Sequence, residues 1–184
     1  LTSTMKKEVS YRGLNFEPYI TRQQIDARIA ELGRQLSHDL RGKNPLFLCV
    51  LNGAFPFASD LFRAFDGDAE IAFIRLQSYE GTQTTGKVKQ VMGLTADIEG
   101  RTVVIMEDIV DTGNTIHRLV TDLQARHPAD IKIATLLFKP EALQLPVKPD
   151  YVGFEIPQKF IIGFGLDLDG LARNLNDIYC VKSD

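Results

Sequence analysis

The sequence predicts an α/β fold whose core is a doubly wound parallel sheet, within one domain of 184 residues. Two observations carry that expectation. From Leu46 to Phe138, apolar runs long enough for one buried strand alternate with stretches whose apolar residues recur at helical spacing. A polar, acidic turn also follows the carboxyl end of one such run, where open sheets of this kind bind ligands.

The N-terminal stretch from Met5 to Tyr19 is polar, with scattered aromatics and no sustained period. Thr21-Arg22-Gln23-Gln24 then reads as a capping box, because Gln24 follows the Thr cap by three residues. Ile25, Ile29, Leu32, Leu36 and Leu40 form one helical stripe behind it, ended by Gly42 to Pro45. Leu46 to Leu51 is the first buried strand, Asn52-Gly53 a turn, and Phe57, Leu61 and Phe65 mark the next helix. Glu70 to Gln77 is a strand with Ile71 and Phe73 alternating. The Gly, Ser and Thr density from Ser78 to Gly86 then predicts a mobile loop. Val88 to Leu94 and Val103 to Met106 read as strands, and Ile116, Leu119, Val120 and Leu123 as a helix ending at His127-Pro128. Ile131 to Phe138 is a further strand, closed by Lys139-Pro140. The core is therefore placed at about residues 21–148. The shorter, irregular ends, about 5–20 and 149–184, are expected to fold together as a small hood.

Composition narrows the function. Hydrophobic content of 44% and charged content of 24% are ordinary for a globular protein. A net charge of −3 argues against a dedicated nucleic-acid binder. Two isolated cysteines, Cys49 and Cys180, make neither a disulfide framework nor a zinc site, and Cys49 reads as core. No stretch reaches membrane-spanning length and no apolar leader is read, so the cytoplasm is the expected compartment.

The chemistry concentrates between Glu107 and Thr115. Glu107 and Asp108 end an apolar strand, and Asp111-Thr112-Gly113-Asn114-Thr115 leads into a helix. Free N–H groups at such a turn, with the helix dipole behind them, suit an anion. Adjacent carboxylates repel and gain nothing for folding, so a ligand or metal is the better reason for them. An ordinary capped βα loop is the bland alternative, with Asp111 as the helix N-cap. An aspartic protease would need an all-β chain, and a dinucleotide site would need G-x-G-x-x-G, which is absent. Gly81 to Lys87 spells G-x-x-x-x-G-K, but Val88 follows the lysine and a strand follows that, so a P-loop is rejected.

The run VVIMEDIVDTGNTI resembles the phosphoribosyl-diphosphate (PRPP) signature of the purine phosphoribosyltransferases, in its hypoxanthine-guanine variant. PDYVGFEIPQKFIIGFG, Pro149 to Gly165, resembles the same family, and matching motifs run in order from about Leu46 to Val181. The resemblance implies the type I phosphoribosyltransferase fold and a residue-by-residue division of roles. Glu107 and Asp108 would bind the ribose hydroxyls. Asp111, Thr112, Gly113, Asn114 and Thr115 would hold the 5′-phosphate, with Asp111 as general base toward the purine. Leu51-Asn52-Gly53 would contact pyrophosphate through its backbone, although many relatives carry lysine at the position of Asn52. Arg173 would contact pyrophosphate as well. Lys139 would donate to the O6 of a 6-oxopurine and so reject adenine. Phe160 would stack on the purine, with Ile161 and Ile109 beside it; without the resemblance, Lys139 reads as surface and Phe160 as core. Ser78 and Tyr79 would begin a lid that excludes water. Asp167, with Glu107 and Asp108, would hold Mg²⁺. A calcium loop at Asp167 and Asp169 lacks its distal acid.

The implied reaction is purine salvage: PRPP and hypoxanthine or guanine give IMP or GMP and pyrophosphate. The implied assembly is a homodimer or homotetramer, without nucleic-acid or membrane partners. A regulator that senses PRPP while binding nucleic acid is the reading from another class, and it would need a basic face or an added domain. A pyrimidine transferase fits the residues around Lys139 and Phe160 less well.

Overall fold

Burial on both faces is what makes the central strands apolar throughout. In the computed structural model, which describes residues 7–78 and 88–183, the chain forms a hairpin of β1 (Val9–Tyr11) and β2 (Leu14–Ile20). Then come α1 (Arg22–Asp39), β3 (Leu46–Leu51), α2 (Phe55–Ala64), β4 (Glu70–Ser78) and β5 (Val88–Met92). β6 (Thr102–Val110), α3 (Asn114–Gln124) and β7 (Asp130–Phe138) follow, and then β8 (Tyr151–Glu155), β9 (Ile161–Ile162) and β10 (Ile178–Val181). The larger sheet has the order β5-β4-β3-β6-β7-β8. β4, β3, β6, β7 and β8 run parallel, and β5 joins the β4 edge antiparallel.

Alternate residues of β3 and β6 feed two cores. Phe47, Cys49, Val104 and Met106 pack with α1 and α2, whereas Leu46, Leu48, Val103 and Ile105 pack with α3. Helices therefore cover both faces, as the doubly wound expectation requires. The stripe expected on α1 is buried throughout, from Ile25 to Leu40. Its capping box is formed as read: the Gln24 N–H donates to Thr21 Oγ1, and the Thr21 N–H to Gln24 Oε1. Cys49 is buried and unpaired, and desolvation pushes its thiol up to about 12, so it is an inert core residue.

Two expectations are corrected. Residues 5–20 contain a regular hairpin, turned at Arg12 and Gly13 with φ of 51° and 78°. β2 pairs with β10, so the hood is an antiparallel four-stranded sheet, β1-β2-β10-β9. The hood boundary expected at 149 falls one strand too early, because β8 pairs with β7 in the larger sheet. Arg28 fastens that edge strand to α1 by donating to the carbonyls of Gly153 and Val152, at 2.9 and 2.8 Å. Tyr151 adds a 2.6 Å bond from its hydroxyl to Asp39 Oδ2. Among the described residues no helix is long and apolar enough to cross a membrane.

The contact between α1 and α2 closes over Gly33. A β-carbon built there would lie 2.5 Å from Ala64 Cβ and 2.7 Å from the Ala64 carbonyl oxygen. Gly→Ala inside a helix ordinarily stabilises by about 0.5–1 kcal/mol. Here overpacking outweighs that gain, at about 1–3 kcal/mol. Gly33→Ala is therefore expected to lower stability in urea unfolding, and a stabilised variant would show that the two helices separate at no cost.

Candidate active site

The site begins where β6 stops being apolar. Glu107 is the one charged side chain that is buried among the described residues, at 6% exposure, and Asp108 beside it is half-buried. Burial pushes the Glu107 carboxyl well above the usual range, and the Asp108 charge raises it further. Burial raises Asp108 too, against the pull of the Ile109 N–H, 2.9 Å from Oδ1, a hydrogen bond from Glu107, and the charge of Arg173. Both carboxyls are thus held above their ordinary range by burial, and Glu107 is raised further by the charge beside it.

Three other segments converge on this pair. The Leu51–Gly53 loop leaves β3 through a cis Leu51–Asn52 peptide bond. A β-carbon on Gly53 would lie 2.0 Å from Asp108 Oδ2, so only glycine leaves room for that carboxylate. From the loop after β9, Arg173 donates to the Gly165 carbonyl at 2.7 Å and pairs with Asp167 at 3.4 Å. The third segment is the turn into α3. Gly113 is the N-cap, at φ 89°, with no side-chain cap and no acidic residue in the first helical turn. That leaves the helix start open to an outside anion.

These segments enclose a cleft of about 440 Å³, lined by the Leu51–Gly53 loop, Glu107 to Thr115, Asp167 and Arg173. Residues expected from the sequence to meet PRPP are therefore brought together. Arg75 and Leu76 also line the cleft and were not anticipated. Arg75 lies beside Leu51 in the β4–β3 register, and a lone arginine near the carboxyl end of an apolar strand was the available signal.

The reading of Asp111 as helix N-cap is overturned, since Gly113 holds that place. Asp111 stands ahead of the helix, half-exposed, with Lys139 Nζ 3.6 Å away. Ile109 lines the cleft, but Lys139, Phe160 and Ile161 do not. Lys139 reaches the cleft only through Asp111, and its side chain is 12% exposed, so the surface reading fails. Phe160 is 43% exposed with a tilted contact to Phe16, ring centres 6.0 Å apart, so it is not a core aromatic either. Ile161 is buried in β9 opposite Cys180. Ser78 ends β4, while Tyr79, the rest of the expected lid and the Gly81–Lys87 run lie outside the described residues.

The donor set fits magnesium in one particular way. No group of three His, Cys, Asp or Glu side chains is assembled for a metal among the described residues. Asp167, Glu107 and Asp108 nevertheless line the same cleft. Mg²⁺ takes carboxylate oxygen, and it is usually held by one or two carboxylates together with substrate phosphates rather than by a complete protein cage.

The phosphoribosyl transferase domain model matches residues 19–169. A hypoxanthine-guanine phosphoribosyltransferase of Streptococcus thermophilus is 41% identical over 165 residues, 89% of this chain and 92% of the relative. Its counterpart in Mycobacterium bovis is 42% identical over 166 residues, 86% of this chain and 82% of that one. The crystal structure of a Staphylococcus aureus hypoxanthine phosphoribosyltransferase superposes with a TM-score of 0.86 at 38% identity, covering 90% of this chain and 91% of that one.

The raised carboxyl of Glu107 has a sign that can be checked in ligand-free protein with chelator. A carboxyl whose folded pKa is raised stabilises fully below its ordinary value of 4.5, and that stability is lost as pH rises toward the folded value. Within that window each pH unit costs the wild type up to about 1.4 kcal/mol, a loss that Glu107→Gln escapes. The Tm of the variant minus that of the wild type should therefore grow as pH rises above the ordinary value of 4.5. A constant or shrinking difference would mean that Glu107 titrates normally.

Proposed function

The chain belongs to the phosphoribosyltransferase family, in its hypoxanthine-guanine branch, and from that premise we propose how its cleft carries out purine salvage. The enzyme transfers the 5-phosphoribosyl group from PRPP to hypoxanthine or guanine, giving IMP or GMP and pyrophosphate. The observation that carries the division of labour is the meeting, in one cleft, of two adjacent carboxylates and an uncapped helix start.

PRPP is a polyanion with a diol in its middle, and the cleft has a matching order of groups. Its 5′-phosphate sits at the turn from Asp111 to Thr115, where backbone N–H groups and the Thr112 and Thr115 hydroxyls donate. Hydrogen bonds to a charged group are worth about 1.5–3 kcal/mol each, so several anchor the phosphate without a lysine. The ribose 2′ and 3′ hydroxyls donate to Glu107 and Asp108, which favours the ionised carboxylates against their burial. Pyrophosphate meets the Leu51–Gly53 backbone and the Arg173 guanidinium, whose planar fork suits bidentate binding. Asp167, with the acidic pair, is the protein's share of a magnesium site. Bound with the substrate, Mg²⁺ supplies neutralisation of the charge that leaves with pyrophosphate.

The purine lies between Ile109 and the hood, stacked on Phe160, with the backbone at Ile161 along its edge. Lys139 donates to O6, a bond that adenine cannot accept. As the purine attacks the anomeric carbon its ring gains positive charge, and Asp111 takes the N7 proton. The Asp111–Lys139 contact supports this, because it holds the base and the O6 donor within one purine's reach. A lid beginning at Ser78 and Tyr79 keeps water from the ribosyl cation. Phe73 and Met92, 45% and 40% exposed on β4 and β5, support assembly as a homodimer or homotetramer. Light scattering that gave only the monomer mass would remove that part.

The test is product formation from PRPP and Mg²⁺ with hypoxanthine, guanine, xanthine, adenine and uracil, using wild type and Asp111→Asn. Hypoxanthine and guanine should turn over and adenine stay inert, with the variant's kcat lower by about a hundredfold or more. Adenine turnover would remove Lys139 from its role, and an unimpaired variant would remove Asp111. PRPP binding without turnover of any base would favour the nucleotide-sensing regulator instead.

A further inference from the structure

Outside the cleft, one cation ties α1, α2 and the loop after β9 together. The Arg22 backbone N–H donates to Asp177 Oδ1 at 2.6 Å, its Nε to Asp26 at 2.7 Å, and its Nη2 to Asp60 on α2 at 3.1 Å. Its guanidinium carbon lies 4.9 Å from the centre of the Phe164 ring. Asp60 is itself held, since Arg63 donates to its other oxygen at 2.6 Å. Only arginine makes the contacts to Asp26, Asp60 and Phe164 at once, because its plane stacks on a ring while its edges donate to two carboxylates.

Phe164 is an unusual residue to find at the far end of that contact. It is 2% exposed and adopts φ 47°, between Gly163 at 97° and Gly165 at 100°. A bulky residue in the left-handed region persists only where its surroundings over-determine it. Here the Phe164 N–H donates to the Leu175 carbonyl at 2.9 Å, the Gly165 N–H to the Arg173 carbonyl at 3.0 Å, and Arg22 covers the ring. The next residue reaches the cleft directly. A β-carbon on Gly165 would lie 2.0 Å from the Gly53 carbonyl oxygen, and the Gly165 carbonyl is the acceptor for Arg173 Nη1 at 2.7 Å.

We infer that Arg22 is a positioning residue for the pyrophosphate side of the cleft. Acting through Phe164, it holds Gly165 in place, and Gly165 in turn seats the Gly53 loop and aims the Arg173 guanidinium. Arg22 does not line the cleft, so its effect is confined to the groups that Gly165 touches. On the purine side, Asp111, Lys139 and Phe160 share none of these contacts, and Ile161 meets Phe164 only in the common apolar core. The inference rests on the reaction proposed above, because it assigns Gly53 and Arg173 to pyrophosphate.

The test compares wild type, Arg22→Met and Arg22→Lys. Methionine keeps an apolar stem without charge, and lysine keeps charge without the planar fork. Steady-state kinetics give the KM for PRPP and for hypoxanthine, and calorimetry with magnesium pyrophosphate gives a Kd without turnover. Arg22→Met should raise the KM for PRPP and the Kd for pyrophosphate by about three- to tenfold. Its KM for hypoxanthine should be unchanged, with Arg22→Lys between the two. Asp60→Asn, which loosens the grip on Arg22 from α2, should move both constants in the same direction by less, and it serves if Arg22→Met does not fold. A lower Tm with PRPP and pyrophosphate constants unchanged would overturn the inference and leave Arg22 as a staple of α1. Equal rises in both KM values would overturn it as well. If the wild type turned over no base, the proposed reaction would fall, while the pyrophosphate constants would still decide the role of Arg22.

Discussion

Two carboxylates on consecutive residues at the end of a buried strand set the terms for everything around them. Left alone, Glu107 and Asp108 would each carry a charge that the interior cannot solvate, and they would repel each other. The fold answers with the Ile109 N–H on Asp108 and the positive charge of Arg173. None of these removes the acids' demand for partners. A sugar diol or a cation that enters the cleft meets acceptors already in place, so little reorganisation is required on binding.

That constraint explains why glycine and arginine recur on the other walls. Gly53 has no side chain because Asp108 Oδ2 occupies the space, and Gly165 has none because the Gly53 carbonyl does. Backbone therefore stacks on backbone, and the two loops position one another without flexible side chains between them. Arg173 spans the same contact, held by the Gly165 carbonyl and Asp167. The uncapped start of α3 and Arg173 form the positive walls of the cleft, and the acidic pair forms its negative wall.

The two sheets divide the work along similar lines. The larger sheet presents the acidic pair and the Asp111–Thr115 turn at the carboxyl end of β6, and the Leu51–Gly53 loop at that of β3. The hood sheet carries Ile161 on β9, opposite Cys180, with Phe160 just before it against Phe16. The Asp111–Lys139 contact joins the turn before α3 to the residue that follows β7.

What the sequence determined by itself was whatever depends on near neighbours or on uniform burial. The Thr21–Gln24 capping box is a three-residue interaction, and the Leu46–Leu51 run is apolar because both of its faces are covered, so both were readable as they stand. The acids and the Asp111–Thr115 turn were legible because their chemistry is contiguous, and the family resemblance supplied roles for residues that periodicity alone would have left as surface or core. The tertiary structure decided the rest, through contacts between residues far apart in the chain. The β1–β2 hairpin shows weak alternation because it completes its pairing with β10, at the other end of the chain. β8 reads as part of the hood until its ladder with β7 is seen. Arg75 becomes a cleft residue only through its register with Leu51, and Gly165 becomes necessary only against Gly53. Such pairings are set by the packing of one segment on another, and no local spacing encodes them.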